Sequence, residues 1–424
     1  MHDLRMIREH IEVLRDGMRR RGKLDALGPF IDRAQQVDAE RRAMIQAIEE
    51  RKASRNAITQ EVARRKRAGD DADDLLSQSR SLGDEIARMD SELKVLEADL
   101  EKAMLELPNI TLADVPEGGE ENNRHVRSWG TPRDSTGLKP HWEIGVSLGL
   151  IDFERGAKIS GSGFIVFRGK GARLVRGLMN FMLDLHTSEH GYEETWVPVV
   201  VNRASMTGTS QLPKFEDDMY GIQGEDLFLI PTAEVPVTNL YAQEILAAAD
   251  LPRALTAYSP CFRREAGAHG KDTRGLIRVH EFDKVELVRY ATPETSSEEL
   301  ELLTSQAERV LQLLGLPYRV VLLAAGDTGF ASAKTYDLEV FAPGAAVWLE
   351  VSSCSVFTDF QSRRANIRYR PAEGGKPRFV HTLNGSGVAF PRIIAAILEH
   401  YQNADGTVDV PEVLRPYLGA DRLG

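Results

Sequence analysis

Between Ile31 and Leu107 the chain carries no proline, and glycine occurs only at Gly69 and Gly83. That restricts the first quarter of the sequence more than any motif does, because the residues that replace them are mostly Glu, Arg, Lys, Ala and Leu, the composition of long helices. Leu82, Ile86, Met89, Leu93, Leu96 and Leu100 recur at alternating intervals of four and three, the spacing of a coiled-coil seam. Upstream, Val37, Met44, Ile48, Ile58 and Val62 keep the same register, with Arg41, Arg51 and Arg55 at intervening seam positions, so that half is expected to pack less tightly. In Ala68-Gly69-Asp70-Asp71 a glycine supplies a reversal and aspartates suit the start of a helix. The pattern predicts two helices of roughly 35 residues folded back as an antiparallel hairpin, about 50 Å long at about 1.5 Å per residue.

The charge on this arm is uneven. Arg51, Lys52 and Arg55 are followed by Arg64-Arg65-Lys66-Arg67, while Asp70, Asp71, Asp73 and Asp74 open the return helix. One flank therefore suits phosphates, although from the arm alone a solvated surface on a dimerising coiled coil is the better reading. The formal charge of −11 argues against a protein that coats nucleic acid nonspecifically, so any RNA contact must come from local basic patches. Cys261 and Cys354 form neither a disulfide framework nor a zinc spacing. The N-terminus alternates charges where a signal peptide needs an apolar segment, and no run approaches the ~20 apolar residues of a membrane span. A cytoplasmic protein with no membrane association is expected.

Pro108-Asn109 ends the arm, and a polar stretch rich in Gly and Pro follows. The expected organisation is an N-terminal helical arm over 1–107, a linker over 108–140 and a catalytic and dimerisation domain over 141–424. In the last part, strand-like runs at 164–167, 194–201, 227–230, 278–290, 318–323, 338–341 and 347–351 are interleaved with helical periodicity at 172–189 and 298–314. Without regular βαβ alternation this predicts an α+β fold on an antiparallel sheet. Neither a Walker A motif nor a GxGxxG fingerprint opens a helix, so a nucleotide would be bound in another way.

The segment from Cys261 to Glu286 (CFRREAGAHGKDTRGLIRVHEFDKVE) reads as a strand, a charged glycine-rich loop and a second strand. An arginine fixed on a strand, such as Arg263, suits a crowded and negatively charged phosphoryl-transfer state. Lys271 and Arg274 in the loop suit an RNA backbone. The segment resembles motif 2 of class II aminoacyl-tRNA synthetases, and its wording (Phe-Arg-x-Glu-Ala-Gly, Asp-Thr-Arg-Gly-Leu-Ile-Arg, Phe-Asp-Lys-Val-Glu) resembles the seryl-tRNA synthetases in particular. Thr382 to Arg392, followed by an apolar helix, resembles motif 3, and Phe164 to Pro198 resembles the dimer-forming motif 1. Thr232-Ala233-Glu234, Glu350-Val351-Ser352-Ser353 and Gly208 to Phe215 match the same family, and the resemblance covers nearly the whole chain.

The resemblance implies a class II antiparallel sheet flanked by helices, behind a coiled-coil arm. It implies activation of L-serine with ATP and Mg²⁺ and transfer to tRNA(Ser), by a homodimer, with tRNA(Sec) left open. Arg263 and Arg392 would be catalytic, on the α- and γ-phosphates. Glu265 would meet the adenine amino group, Phe282 would stack on the ring, and Arg264, Val351 and Ser352 would complete the ATP site. Glu350 and Ser353 would ligate Mg²⁺. Thr232, Ala233, Glu234, Arg263, Glu286 and Ser386 would hold serine, as a small polar amino acid requires of buried polar groups. Arg51, Lys52, Arg55, Arg64, Lys271 and Arg274 would meet tRNA.

Plainer readings stand beside these. Arg263 and Glu265 could form an intrasheet ion pair, Phe282 could be a core aromatic, and Gly385-Ser386-Gly387 only a turn. Arg264, Ser355-Val356-Phe357 and Phe390-Pro391 depart from the family's usual wording without removing a presumed ligand, which leaves room for a specialised paralogue, antibiotic-tolerant or loading a carrier protein.

Overall fold

The computed structural model describes residues 1–266 and 274–424. The described chain divides into two compact units, residues 2–19 with 23–108, and residues 1, 20–22 and 109–424.

The smaller unit is dominated by two antiparallel helices, α1 (Leu24–Ala68) and α2 (Asp73–Leu105). Helix α1 starts earlier than the proline-free run suggested, and Pro29 lies inside it. Pro29 lacks the N–H that would serve the Asp25 carbonyl, a loss tolerable this close to the helix start. Gly69 caps α1 at φ +83°, its N–H reaching the Arg65 and Lys66 carbonyls, a conformation that favours glycine. Val37, Ile48, Ile86, Met89 and Leu100 are buried in the seam. Two of the seam arginines turn to ion pairs across the hairpin: Arg41 with Glu97 at 2.9 Å and Arg51 with Glu85 at 2.5 Å. Near the base of α1, Asp38 is buried and accepts from Arg8 at 2.6 Å and Arg42 at 3.1 Å. Those hydrogen bonds, the one from Arg8 first, hold its carboxyl below the usual carboxylate range.

The larger unit is built on an eight-stranded sheet. Its strands in chain order are β1 (Arg124–Trp129), β2 (Glu193–Glu194), β3 (Arg253–Phe262), β4 (Glu281–Ala291), β5 (Tyr318–Leu322), β6 (Lys334–Ala342), β7 (Val347–Thr358) and β8 (His381–Ala389). In space they run β1-β5-β6-β7-β8-β4-β3-β2, antiparallel throughout except for β2 beside β3. The stretch expected to be a linker thus supplies an edge strand. β1 is exposed along most of its length, and a polar edge strand lacks the apolar alternation by which strands are read from sequence.

Helices α3 (His141–Ser147), α4 (Lys170–Ser188), α5 (Ser296–Leu313), α6 (Phe360–Ala365) and α7 (Phe390–His400) belong to the same unit. Leu174, Leu178 and Met182 of α4, Leu303 and Val310 of α5, and Ile393, Ile394 and Ile397 of α7 share one core with Val285, Leu287, Leu338, Val351 and Leu383 of the sheet. One face of the central strands is therefore apolar and covered, at roughly 1.5–3 kcal/mol per fully buried aliphatic side chain. Among the described residues no helix is long and apolar enough to cross a membrane.

Candidate active site

The other face of the same strands carries the polar residues, and the strand pleat decides which of them reach it. On β4, Val285 and Leu287 are core residues, so alternation turns Phe282, Lys284 and Glu286 the opposite way. On β8, Leu383 goes to the core while Asn384 and Ser386 reach the open side. β7 is less regular. Glu350 and Ser353 are three residues apart and would point to opposite faces of an unbroken strand, but the ladder shifts there: Glu339 faces Glu350, and Leu338 faces Ser352. Val351 is the extra residue of a β-bulge, which brings Glu350 and Ser353 to one face.

Arg263 follows the last residue of β3 and stands between two hollows. Glu265, Phe282, Glu350, Arg263 and Arg392 line the first; Thr232, Glu234, Ser353, Asn384 and again Arg263 line the second. The Arg263 Nε donates to the Pro231 carbonyl at 3.3 Å, and its guanidinium lies 5.2 Å from the centre of the Phe282 ring, a cation–π distance. Glu265, at φ +51°, pairs with Arg278 rather than with Arg263. Arg392, in the first turn of α7, donates through Nη1 to the Glu350 carbonyl at 2.6 Å and through Nε to the Ile277 carbonyl at 3.1 Å. Both arginines thus meet carbonyl oxygens, and among the described residues neither is consumed by a close bidentate carboxylate pair; the Glu350 carboxylate lies 3.6 Å from Arg392.

The second hollow is built around buried polar side chains. Glu234 opens the short helix Glu234–Thr238 and is buried. Its Oε1 accepts from Gln361 Nε2 of α6 at 2.6 Å, and Gln361 in turn accepts from the Thr382 hydroxyl at 2.7 Å. Burial first, and then the negative charge of Glu286, push the Glu234 carboxyl up to about 7, against the Gln361 hydrogen bond and the charges of Lys284 and Arg263. Glu286 is fully buried, accepts from Asn384 Nδ2 at 2.9 Å and pairs with Lys284. Lys284 also donates to the Thr232 hydroxyl at 2.9 Å. The Glu234 carboxylate, the Lys284 ammonium and the hydroxyls of Thr232 and Ser386 line this space, with the Glu286 carboxylate bonded to its lining residues Lys284 and Asn384, a setting suited to a small zwitterion.

Other residues marked in the sequence fall differently. The Ala233 side chain packs in a core with Val197 and Leu255, and that of Val351 in the main core, so either would meet a ligand only through its backbone. The Ser352 hydroxyl donates to the Ser386 carbonyl at 2.6 Å. Arg264 is exposed, with its backbone N–H on the Asp218 carbonyl at 3.0 Å. The Arg274 guanidinium lies 5.2 Å from the Trp142 ring centre, and Lys271 is outside the described residues. On the arm, Arg51, Lys52 and Arg64 pair with Glu85, Glu49 and Glu61, while the Arg55 guanidinium lies over Gly83. Lys284, Asn384 and Gln361 were not singled out by the sequence reading. Lys284 was legible, since residues two apart on a strand share a face with Glu286; Gln361 was not, because it arrives from a helix distant in sequence.

The expected Mg²⁺ fits the donor set. Glu350 and Ser353 are hard oxygen donors on one face, and Oδ1 of Asp337, across the ladder from Ser353, has no hydrogen-bond partner. Among the described residues no group of three or more His, Cys, Asp or Glu side chains is arranged to hold a metal, so phosphate oxygens and water would have to complete the shell.

Residues 214–401 match the family described as tRNA synthetase class II core domain (G, H, P, S and T), and residues 1–111 match the seryl-tRNA synthetase N-terminal domain. The serine–tRNA ligase of Gemmatimonas aurantiaca is 66% identical over 420 residues, 99% of each chain. The chain belongs to the seryl-tRNA synthetases. Within that family the serine–tRNA ligase of a Geobacillus species is 56% identical, with 99% of each chain covered. The crystal structure of the Pyrococcus horikoshii seryl-tRNA synthetase, described as complexed with ATP, superposes with a TM-score of 0.92 at 39% identity, covering 100% of this chain and 99% of that one. Serine–tRNA ligase chemistry is thus the chemistry of the family to which the two hollows belong.

Proposed function

We propose that the chain is a serine–tRNA ligase that binds ATP in the hollow lined by Phe282, Glu265 and Arg392, and binds serine in the one lined by Thr232, Glu234 and Ser386, with Glu286 buried behind its lining residues Lys284 and Asn384. The carrying observation is that Arg263 belongs to both hollows, where a serine carboxylate and an α-phosphate would meet. The carboxylate oxygen attacks the α-phosphorus, pyrophosphate leaves and seryl-adenylate forms; the terminal ribose hydroxyl of tRNA(Ser) then attacks the seryl carbonyl and AMP leaves. Neither step needs a side-chain nucleophile, so positioning and charge stabilisation carry the catalysis.

Arg263 neutralises charge at the α-phosphate and Arg392 at the far end of the triphosphate. Thr232 and Glu234 receive the serine ammonium, and Glu286 and Ser386 its hydroxyl. Glu350 and Ser353 would hold Mg²⁺, which would screen phosphate charge when bound. Arg51, Lys52, Arg55 and Arg64 of the arm, with Arg274 beside the site, meet the tRNA backbone, exchanging weak surface ion pairs for phosphates.

The protein works as a homodimer. Trp196, within the stretch resembling motif 1, is 77% exposed, an apolar ring that a partner's surface would cover. The deciding experiment is serine-dependent exchange of pyrophosphate into ATP together with charging of purified tRNA(Ser), with light scattering for the dimer. Exchange driven by another amino acid in preference to serine would overturn the pocket assignment.

A further inference from the structure

Behind the nucleotide hollow lies a buried pair that the proposed chemistry does not use. Glu399 of α7 and His141, the first residue of α3, are both fully buried. Glu399 Oε1 accepts from His141 Nδ1 at 2.7 Å and from the His141 backbone N–H at 2.9 Å. Its Oε2 accepts from the Gly344 and Ala345 N–H groups at 2.8 and 3.0 Å. Four donors on one carboxylate leave it as a pure acceptor, so His141 carries its hydrogen on Nδ1 and offers Nε2 as an acceptor. Nε2 takes the backbone N–H of Leu276 at 2.9 Å.

Leu276 begins the return of the motif 2 segment, and its neighbours reach the nucleotide hollow directly. The Ile277 carbonyl accepts from Arg392, and Arg278 pairs with Glu265. On the other side, Gly275 sits at φ +65°, where an added Cβ would overlap the His141 imidazole and crowd the Trp142 ring. The close approach of backbone to imidazole is therefore built into the sequence at Gly275.

We propose that His141, oriented by Glu399, is a positioning residue for ATP: its bond to Leu276 sets where Ile277 and Arg278 stand, and through them the aim of Arg392 and Glu265. The proposal rests on the reading that Arg392 and Glu265 hold the nucleotide. It predicts an effect confined to one substrate, because Thr232, Glu234, Glu286 and Ser386 hang on other elements.

The test is serine-dependent pyrophosphate exchange by the full chain carrying His141→Leu, His141→Gln or Gly275→Ala. His141→Leu is expected to raise the KM for ATP about tenfold, the order of one lost buried hydrogen bond, while the KM for serine stays within about twofold. His141→Gln, whose amide oxygen can still accept from Leu276, should recover most of the loss. Gly275→Ala, which displaces the contact but leaves Glu399 its partner, should reproduce the ATP effect and decides the matter if His141→Leu fails to fold. An unchanged ATP KM, or parallel rises for both substrates, overturns the strut. Failure of the site reading looks different: the unaltered protein would then exchange independently of serine, or Arg263→Ala would exchange normally.

Discussion

Arg263 is held by a single carbonyl and the face of Phe282, so removing it costs the fold little while stripping positive charge from the meeting point of the two hollows. Arg263→Ala is expected to lower serine-dependent exchange by on the order of 10²–10³ with thermal stability nearly unchanged. Glu234 is raised to about 7 by burial and the charge of Glu286, yet it must be ionised to receive an ammonium. The KM for serine should therefore fall roughly tenfold between pH 6 and pH 8, and Glu234→Gln should abolish that slope while leaving the KM high. The stability linkage has the opposite sense. An acid whose folded pKa lies above its unfolded value of about 4.3 contributes stability below that value, lost as pH rises through about 7. Selectivity divides in the same pocket: pairing the hydroxyl through Glu286 and Ser386 should reject alanine by roughly 10⁴ or more, whereas excluding the extra methyl of threonine should yield about 10–200-fold. Exchange rates with the three amino acids check this, and alanine activated as readily as serine would contradict it.

Among the elements, the hairpin shows how a buried charge can be stabilising when its hydrogen bonds are complete. Asp38 draws both Arg8 and Arg42, and its carboxyl is held below the usual range chiefly by Arg8. Asp38→Asn should cost about 1–2 kcal/mol in urea unfolding near pH 7. Since the folded pKa is the depressed one, that stabilisation is present above about pH 4 and disappears as pH falls through the folded value; the variant and the parent should converge in acid. The bulge at Val351 acts on geometry: it takes up the odd residue between Glu350 and Ser353, which an unbroken strand would place on opposite faces.

For the whole molecule, the ligands assigned to ATP and serine all lie beyond residue 230, while the arm is a unit with its own seam. Replacing residues 35–101 by a short Gly-Ser loop should leave pyrophosphate exchange within a few-fold and collapse transfer to tRNA(Ser), since folded RNA is recognised by shape and phosphates along such a surface. Charge reversal at Arg51, Lys52, Arg55 and Arg64 should weaken tRNA binding and flatten its dependence on salt, because fewer counterions are released. A deletion variant that charges tRNA as well as the full chain does would make the arm a structural hairpin.

The hairpin, the α+β class and the family were legible in the residues alone, because heptad spacing and contiguous motifs are local properties of the chain. Arg263, Glu265, Phe282, Glu286 and Arg392 could be marked for the same reason. The tertiary structure decided what depends on residues far apart in sequence. It drew β1 out of an apparent linker by pairing it with β5. It brought Glu350 and Ser353 to one face through a register shift against β6. It delivered Gln361 from α6 to Glu234, and it set His141 between Glu399 and Leu276. Strand pairing, bulges and buried polar bonds are satisfied only when distant segments meet, and a linear pattern carries no record of which partner each polar group finds.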